Sequence, residues 1–214
     1  MEIYRIEKKF IIKNSIGEKE LNSLIRIRQN FIPRIVSSIY FDTYNFELAK
    51  ANLRGDLNRI KIRVRWYDNN MDDLYLEFKI KKNIFTKKIS YKLKAKIEQI
   101  DNHLIKNLIH QDKKLKEIQK YMPIANIFPV ARINYHRNYY KIENSRLTFD
   151  KNLNFNLIGK SNKTYIDKSR IIELKVDEKN ETQLKRLQDF IPALETRSSK
   201  YILALKSIYN LQYF

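Results

Sequence analysis

The residues from Arg59 to Trp66 alternate strictly between cationic and apolar side chains. Successive side chains of a β-strand point to opposite faces, so a strand here would be apolar on one face and cationic on the other. The apolar face would carry Ile60, Ile62, Val64 and Trp66. The segment therefore predicts a strand with one buried face and one strongly basic face.

Other segments repeat this design. They are Ile6–Ile12, Leu74–Lys81, Ile89–Leu93, Arg146–Asp150 and Ile172–Val176. The segment from Val130 to Tyr140 is also strand-like, but its phase stays open. If Tyr135 and Arg137 face the charged side, Asn134 and His136 make a poor apolar surface.

Apolar residues at helical spacing predict helices between these strands. The predicted helices are Glu18–Gln29, Phe46–Leu53, Ile97–Met122, Glu181–Phe190 and Ser199–Leu211. No Gly/Ser linker, low-complexity segment or internal repeat divides the sequence. We therefore predict one α+β domain over residues 1–214.

The charge balance indicates an anionic partner. Lys and Arg total 43 against 24 Asp and Glu, for a formal net charge of +19. Like charges on neighbouring strands oppose folding by up to about 1 kcal/mol a pair, so a basic face persists more easily when an anion occupies it. The sequence has no cysteine, no apolar run long enough for a membrane span and no apolar signal region, so we expect a cytoplasmic protein.

A few carboxylates interrupt the predicted charged faces. They are Glu7, Asp42, Glu77, Asp150 and Glu173. Their number suits one hard divalent cation bound to phosphates through oxygen ligands. The aromatic residues Phe10, Trp66, Phe78 and Phe149 fall on the apolar faces, where they predict a core and give no stacking platform for nucleic acid. We therefore expect no nucleic-acid partner.

Several short motifs, each weak alone, occur in an order that resembles a known family. They are Arg5–Phe10, Ser38–Thr43, Arg63–Tyr67, Leu76–Lys79, Lys88, Tyr135–Arg137, Arg146–Asp150, Glu173–Lys175 and Ser198–Tyr201. Together they span nearly the whole chain. The sequence thus resembles the VTC domain, the polyphosphate polymerase branch of the triphosphate tunnel proteins, which also include the CYTH phosphatases.

This resemblance implies a fold, an activity and a set of site residues. The fold would be an antiparallel eight-stranded β-barrel tunnel with a charged interior, flanked by helices. The activity would transfer the γ-phosphoryl group of ATP to a growing inorganic polyphosphate chain and release ADP. Five catalytic cations are implied: Arg63, Arg65, Lys79, Arg137 and Lys200. Further phosphate or ATP contacts would come from Lys9, Arg59, Lys88, Arg146, Lys175 and Ser199. Glu173, with Glu7 and Glu77, would hold Mn²⁺ or Mg²⁺.

Other functions stay open from the residues alone. A tunnel triphosphatase would have more carboxylates on its first strand, where this chain has Arg5-x-Glu7-x-Lys9. A non-catalytic polyphosphate-binding module would keep the basic faces without a competent metal site. The sequence does not decide the oligomeric state or whether a membrane-bound partner exists.

Overall fold

The computed structural model describes most of the chain. The described residues are 5–12, 28–83, 85–111, 113, 116, 126–142, 145–158, 163–177, 185, 188–189, 191, 193–196 and 199–209. Within them the strands are β1 (Arg5–Ile12), β2 (Arg28–Thr43), β3 (Asn58–Tyr67), β4 (Tyr75–Lys82), β5 (Phe85–Lys92), β6 (Ile127–Ile142), β7 (Ser145–Leu157), β8 (Thr164–Asp167), β9 (Arg170–Asp177) and β10 (Leu194–Glu195). The α-helices are α1 (Glu47–Arg54), α2 (Asn102–Gln111) and α3 (Lys200–Tyr209).

The architecture is mainly antiparallel β-sheet with helices, as predicted. The strand pairs β1–β9, β2–β3, β3–β4, β4–β5 and β7–β9 all run antiparallel. Neighbouring antiparallel strands allow one face to be buried and the other to be polar, which is the arrangement that the alternating segments require. The predicted α+β class is confirmed.

The chain forms two compact units, each assembled from separate segments. Unit 1 takes residues 1–35, 134–154 and 166–198, and unit 2 takes residues 36–133, 155–165 and 199–214. The long strands β2, β6 and β7 contribute residues to both units. The prediction that residues 1–214 form one domain stays a prediction.

Unit 1 has the strand order β10-β1-β9-β7. Its core consists of apolar side chains at alternate positions of β1, β7 and β9, together with Tyr140 from β6 and Ile191. Phe10 lies opposite Ile172, and Phe149 also lies opposite Ile172 on the other neighbouring strand. The predicted core positions Phe10 and Phe149 are both buried.

Unit 2 has the strand order β2-β3-β4-β5. Ile60, Ile62, Val64 and Trp66 are all buried, and each such side chain contributes roughly 1.5–3 kcal/mol of hydrophobic stabilisation. Ile105 and Ile109 of α2 belong to the same core. The apolar face of the first alternating segment is therefore packed inside the protein, which leaves the opposite face of β3 to its cations.

The helix predictions have mixed outcomes. Helix α1 agrees with the prediction Phe46–Leu53 and is followed by Gly55, while α2 and α3 lie inside two longer predictions. The prediction Ile97–Met122 is wrong at Ile100 and Asp101, which separate a short 3-10 helix (Ile97–Gln99) from α2. The prediction Glu18–Gln29 is wrong at its last two residues, which begin β2, and its remainder lies outside the described residues. Most of the prediction Glu181–Phe190 also lies outside them. Among the described helices, none has the length and apolarity needed to cross a membrane.

Candidate functional site

Glu77 of β4 is the centre of a cluster of cations in unit 2. It lies directly opposite Arg63 in the β3–β4 ladder, because both residues occupy the polar face. Its Oε2 atom accepts from Arg63 Nε at 2.7 Å and lies 2.6 Å from Arg63 Nη2. Arg65 Nη1 lies 3.7 Å from the same oxygen, and Lys88 forms an ion pair with Oε1. One buried carboxylate thus holds three cationic side chains together.

The charge of Glu77 is set by these neighbours. Burial raises its pKa, but Arg63, Arg65 and Lys88 outweigh burial and lower the pKa to about 2. Glu77 is therefore ionised at neutral pH. Because three cations share one negative charge, the cluster keeps a net positive charge.

A row of lysines extends from this cluster and shares Lys88 with it. Lys61, Lys79 and Lys88 are direct cross-strand neighbours on β3, β4 and β5. Like charges placed directly opposite each other destabilise a sheet, by up to about 1 kcal/mol a pair. We call the polar side of these strands the basic face: Arg59, Lys61, Arg63, Arg65, Glu77, Lys79, Lys81 and Lys88. Its excess of positive charge is suited to binding a polyanion.

Strand β2 adds two hydroxyl groups to the basic face. Arg65 Nε donates to Ser38 Oγ at 3.4 Å, and Arg63 Nη1 donates to the Tyr40 hydroxyl at 2.9 Å. These contacts follow from register, because Ser38 lies opposite Arg65 and Tyr40 lies opposite Arg63. The two arginines are thus held from both neighbouring strands.

Tyr40 is fixed in turn by the first turn of α3. Its ring stacks on Tyr201 with centroids 5.0 Å apart and planes 1° apart. The Tyr201 hydroxyl donates to Asp42 Oδ2 at 2.9 Å. Asp42 also accepts the backbone N–H groups of Leu48 and Ala49 in α1, each at 2.9 Å. Asp42 is therefore a buried helix cap, which differs from the oxygen donor for a cation that the strand pattern suggested.

Lys200 is the first residue of α3, one residue after the predicted start of this helix at Ser199. The preceding Ser199 is buried, and its Oγ accepts the backbone N–H of Ile202 at 3.4 Å. The ammonium charge of Lys200 acts on the Tyr40 hydroxyl together with the charges of Arg63 and Arg65. Lys200 thus belongs to the electrostatic surroundings of the basic face.

The polar side of β1, β7 and β9 in unit 1 has a different charge pattern. Lys175 Nζ lies 3.2 Å from Glu7 Oε2 and 2.7 Å from Glu173 Oε1, and Lys9 Nζ lies 3.1 Å from Glu7 Oε1. We call this side the mixed face: Glu7, Lys9, Arg146, Thr148, Glu173 and Lys175. The two carboxylates share one ammonium group.

Arg137 and Asp150 form a second ion pair in unit 1. The Asp150 carboxylate accepts from Arg137 Nε at 2.6 Å and from Arg137 Nη2 at 2.7 Å. Burial alone would lower the pKa of Arg137, but the Asp150 charge raises it well above its usual range. These two hydrogen bonds give the Asp150 carboxylate a structural role and orient Arg137. The predicted contact of Arg137 with phosphate stays a prediction.

The remaining predicted residues are placed as follows. Arg146 is exposed and lies opposite Lys175. Arg59 is half-buried, and its Nη1 donates to the backbone oxygen of Asp56 at 2.6 Å. Sequence reasoning missed Tyr40, Ser38 and Thr148 and left Lys61 open. The strict alternation of Arg59–Trp66 already puts Lys61 on the same face as Arg63, so the sequence alone was sufficient to predict Lys61 as a residue of this site.

The mixed face fits a divalent cation better than the basic face does. Mg²⁺ and Mn²⁺ at phosphate sites commonly use one or two carboxylates together with phosphate oxygens. Thr148 lies opposite Glu173, and its Oγ1 is buried without a hydrogen-bond partner, so a polar ligand there would satisfy it. Glu77 is already surrounded by three cations. Among the described residues no three acidic or histidine side chains form a metal cluster, so Glu7 and Glu173 would need phosphate or water oxygens as further ligands.

Solved structures with the same fold are similar to this chain at low sequence identity. A candidate adenylyl cyclase from Hippeastrum, described as having a dominant triphosphatase activity, is 16% identical, with 94% of this chain and 95% of that chain covered and a TM-score of 0.64. A candidate adenylate cyclase from Bacillus halodurans is 15% identical, with coverages of 91% and 94% and a TM-score of 0.60. The PH1819 protein from Pyrococcus horikoshii is 16% identical, with coverages of 95% and 99% and a TM-score of 0.53. The chain therefore shares the fold of these solved structures.

The sequence also identifies the family within this fold. The model of the VTC domain matches residues 6–209, which is nearly the whole chain. The protein therefore belongs to the VTC domain family, as its motifs predicted. Among curated proteins, none matches the sequence.

Proposed function

We propose that this protein is an ATP-dependent polyphosphate polymerase. The observation that carries the proposal is the excess of positive charge on the basic face, where one carboxylate, Glu77, is shared by Arg63, Arg65 and Lys88 beside a lysine row. A phosphate chain carries negative charge along its length, so a cationic row across adjacent strands complements it better than it complements a small anion. Membership of the VTC domain family supports the same substrate class. We further propose that the reaction takes place in the cytoplasm, where ATP is at hand.

The proposed reaction transfers one phosphoryl group. A terminal oxygen of the polyphosphate chain attacks the γ-phosphorus of ATP, the bond from that phosphorus to the β,γ-bridging oxygen breaks, and ADP leaves with the electron pair. The chain grows by one phosphate. Such a reaction needs in-line positioning and charge neutralisation more than a protein nucleophile.

The residues of unit 2 would bind and orient phosphate groups. Arg63 and Arg65 can each bind two oxygens at once, while Lys79, Lys88 and Lys200 act as point charges. Glu77 would act as a positioning residue, because it already contacts both arginines. The Ser199–Lys200 step at the start of α3 would add the partial positive charge of a helix N-terminus.

The residues of unit 1 would hold the metal and further phosphate oxygens. Glu173 and Glu7 would ligate Mn²⁺ or Mg²⁺, which supplies charge neutralisation at phosphate oxygens when bound. Lys175 contacts both carboxylates and would contact phosphate instead if those carboxylates held a metal ion. Lys9, Arg137 and Arg146 are the proposed phosphate contacts of this unit.

A tunnel triphosphatase is the second candidate. The fold is shared with the Hippeastrum protein, whose description names a triphosphatase activity, and the carboxylates Glu7 and Glu173 could serve a metal that activates water. The two candidate functions predict different products from the same reagents. Transfer to a phosphate chain yields ADP and long chains, whereas hydrolysis yields orthophosphate.

The experiment is incubation of the purified protein with ATP and Mn²⁺, followed by separation of ADP, polyphosphate and orthophosphate. We expect ADP and polyphosphate from the wild type and neither from Arg63→Ala, Lys200→Ala or Glu173→Ala. Arg54→Ala is the matched control, because it removes an exposed cation of α1 whose partner is Asp56. Orthophosphate as the main product would favour the triphosphatase, and tight polyphosphate binding without turnover would favour a binding module.

A further inference from the structure

Tyr40 places a phenol hydroxyl among the cations of the basic face. It lies directly opposite Arg63 in the β2–β3 ladder, and Arg63 Nη1 donates to its oxygen at 2.9 Å. The same guanidinium contacts Glu77 through Nε and Nη2. The position of the Tyr40 oxygen is therefore tied to the arginine that the proposed reaction depends on.

The proton of this hydroxyl has no acceptor among the described residues. A phenol O–H can donate one hydrogen bond and also accept. Arg63 donates to the Tyr40 hydroxyl oxygen, and Tyr40 makes no other side-chain hydrogen bond with the described part of the chain. A ligand oxygen at this point would complete the hydrogen bonding of the group.

The ring is held rigidly, and the hydroxyl is not needed to hold it. Tyr40 stacks face to face on Tyr201, and Tyr201 is anchored to Asp42 through its own hydroxyl. A phenylalanine at position 40 would stack in the same way. Burying a hydroxyl with an unsatisfied proton costs free energy, so its presence indicates a use outside packing.

The two stacked phenols experience opposite electrostatic surroundings. Burial raises the pKa of Tyr40, but the charges of Arg63, Arg65 and Lys200 and the hydrogen bond from Arg63 outweigh burial and lower it. Burial and the Asp42 charge raise the pKa of Tyr201 well above its usual range. The field that favours negative charge at Tyr40 would also favour an anion beside it.

We propose that Tyr40 binds the substrate directly, its hydroxyl donating a hydrogen bond to a non-bridging phosphate oxygen while it accepts one from Arg63. The ligand class is a linear tri- or polyphosphate. This inference rests on the proposed function, because it takes a phosphate chain as the ligand of the basic face. It adds a phenol donor to a set of residues that bind mainly through full charges.

Binding of inorganic tripolyphosphate without metal or nucleotide tests the proposal by calorimetry. Tyr40→Phe keeps the stack and removes the donor, so its affinity should fall about tenfold while its melting temperature stays near that of the wild type. Tyr201→Phe is the matched control, because it keeps the stack and loses the buried hydrogen bond to Asp42. It should melt at a lower temperature and bind tripolyphosphate as the wild type does.

The outcomes separate this inference from the proposed function. If the wild type binds tripolyphosphate and Tyr40→Phe binds it equally well, the role of Tyr40 is wrong while the proposed function stands. An equal loss of affinity in Tyr201→Phe would also overturn it, since the effect would then come from packing. A wild type that binds no tripolyphosphate would overturn both.

An alkaline titration of tyrosinate absorbance gives a spectroscopic test. The chain has 14 tyrosines, and the difference between the wild-type and Tyr40→Phe titrations gives the contribution of Tyr40. Tripolyphosphate should move the Tyr40 titration to higher pH, because a phosphate oxygen beside the hydroxyl stabilises the O–H form. An unchanged titration under saturating tripolyphosphate would contradict direct contact.

Discussion

The basic face of unit 2 and the mixed face of unit 1 use the same types of side chain in different proportions. On the mixed face, Lys175 contacts two carboxylates, Glu7 and Glu173. On the basic face, one carboxylate, Glu77, is contacted by three cations. In the first arrangement two carboxylates share one ammonium group, and this is where the proposed function puts a metal ion. In the second, three cations contact a single carboxylate, which favours an anionic ligand.

The largest effect is expected from Arg63→Ala on the basic face. This change removes the guanidinium that contacts both Glu77 and Tyr40, and loss of such a preorganised group typically lowers turnover by about 100- to 1,000-fold. Polyphosphate formation from ATP is the measurement, with Arg54→Ala as the control. Turnover of Arg63→Ala at the wild-type rate would contradict the proposed difference between the two faces, because the excess positive charge of the basic face would then not be needed for turnover.

A change on the mixed face should instead alter the metal dependence. Glu173→Gln removes one of the two carboxylates at Lys175, so we expect the apparent metal affinity in the turnover assay to fall about 10- to 100-fold. Affinity for tripolyphosphate without metal should not fall, because a negative charge has been removed. Glu195→Gln, which alters an exposed partner of Lys8, is the control. If Glu173→Gln loses metal-free tripolyphosphate binding as Arg63→Ala does, the two faces have the same role.

Glu77→Gln should lower stability in a pH-dependent way. The pKa of Glu77 is about 2 in the folded protein against an ordinary value of 4.5, which corresponds to about 3 kcal/mol of stability at neutral pH. Because the folded-state pKa is depressed, this stability is present above pH 4.5 and is lost as the pH falls towards 2. Urea unfolding at several pH values should give two curves that converge in acid. Glu98→Gln, at an exposed residue of unit 2, should follow the wild type, and a constant difference between wild type and Glu77→Gln would contradict the assignment.

The smallest effect is expected from Gly55→Ala at the end of α1. Gly55 has φ 76°, which suits glycine, and an added Cβ would meet no atom within 4 Å. Only backbone strain remains, at about 1 kcal/mol. Thermal unfolding should show a small destabilisation with unchanged tripolyphosphate affinity. A loss of affinity would mean that stability of unit 2, and not charge on its basic face, controls binding.

The sequence predicts those parts of the fold in which apolar and polar side chains repeat with the period of a strand or a helix. Arg59–Trp66 alternates because one face is buried and the other is polar, so its strand and its basic face are both predictable. Strand β6 is different, because Ile127 packs in the core of unit 2 and Tyr140, of opposite parity, packs in the core of unit 1. No single phase describes such a strand, which explains why its orientation stayed open.

The candidate site was predictable only in part. The cations of β3 and β4 follow from alternation, but the contact between Tyr40 and Tyr201 joins residues far apart in the sequence and has no local pattern. The carboxylates look alike in sequence, yet Asp42 caps a helix and Glu77 binds three cations. Those assignments depend on which side chains meet across strands, and that information is tertiary.

The lysine row also has a consequence for the protein before any substrate arrives. Three ammonium groups on adjacent strands attract dissolved anions from the surrounding solution, and mobile salt screens them over a length of about 8 Å at physiological ionic strength. A phosphate chain that binds here must first displace those small ions. Their release adds favourable entropy in dilute salt and progressively less as salt is added, so the surrounding electrolyte competes with the substrate for the protein.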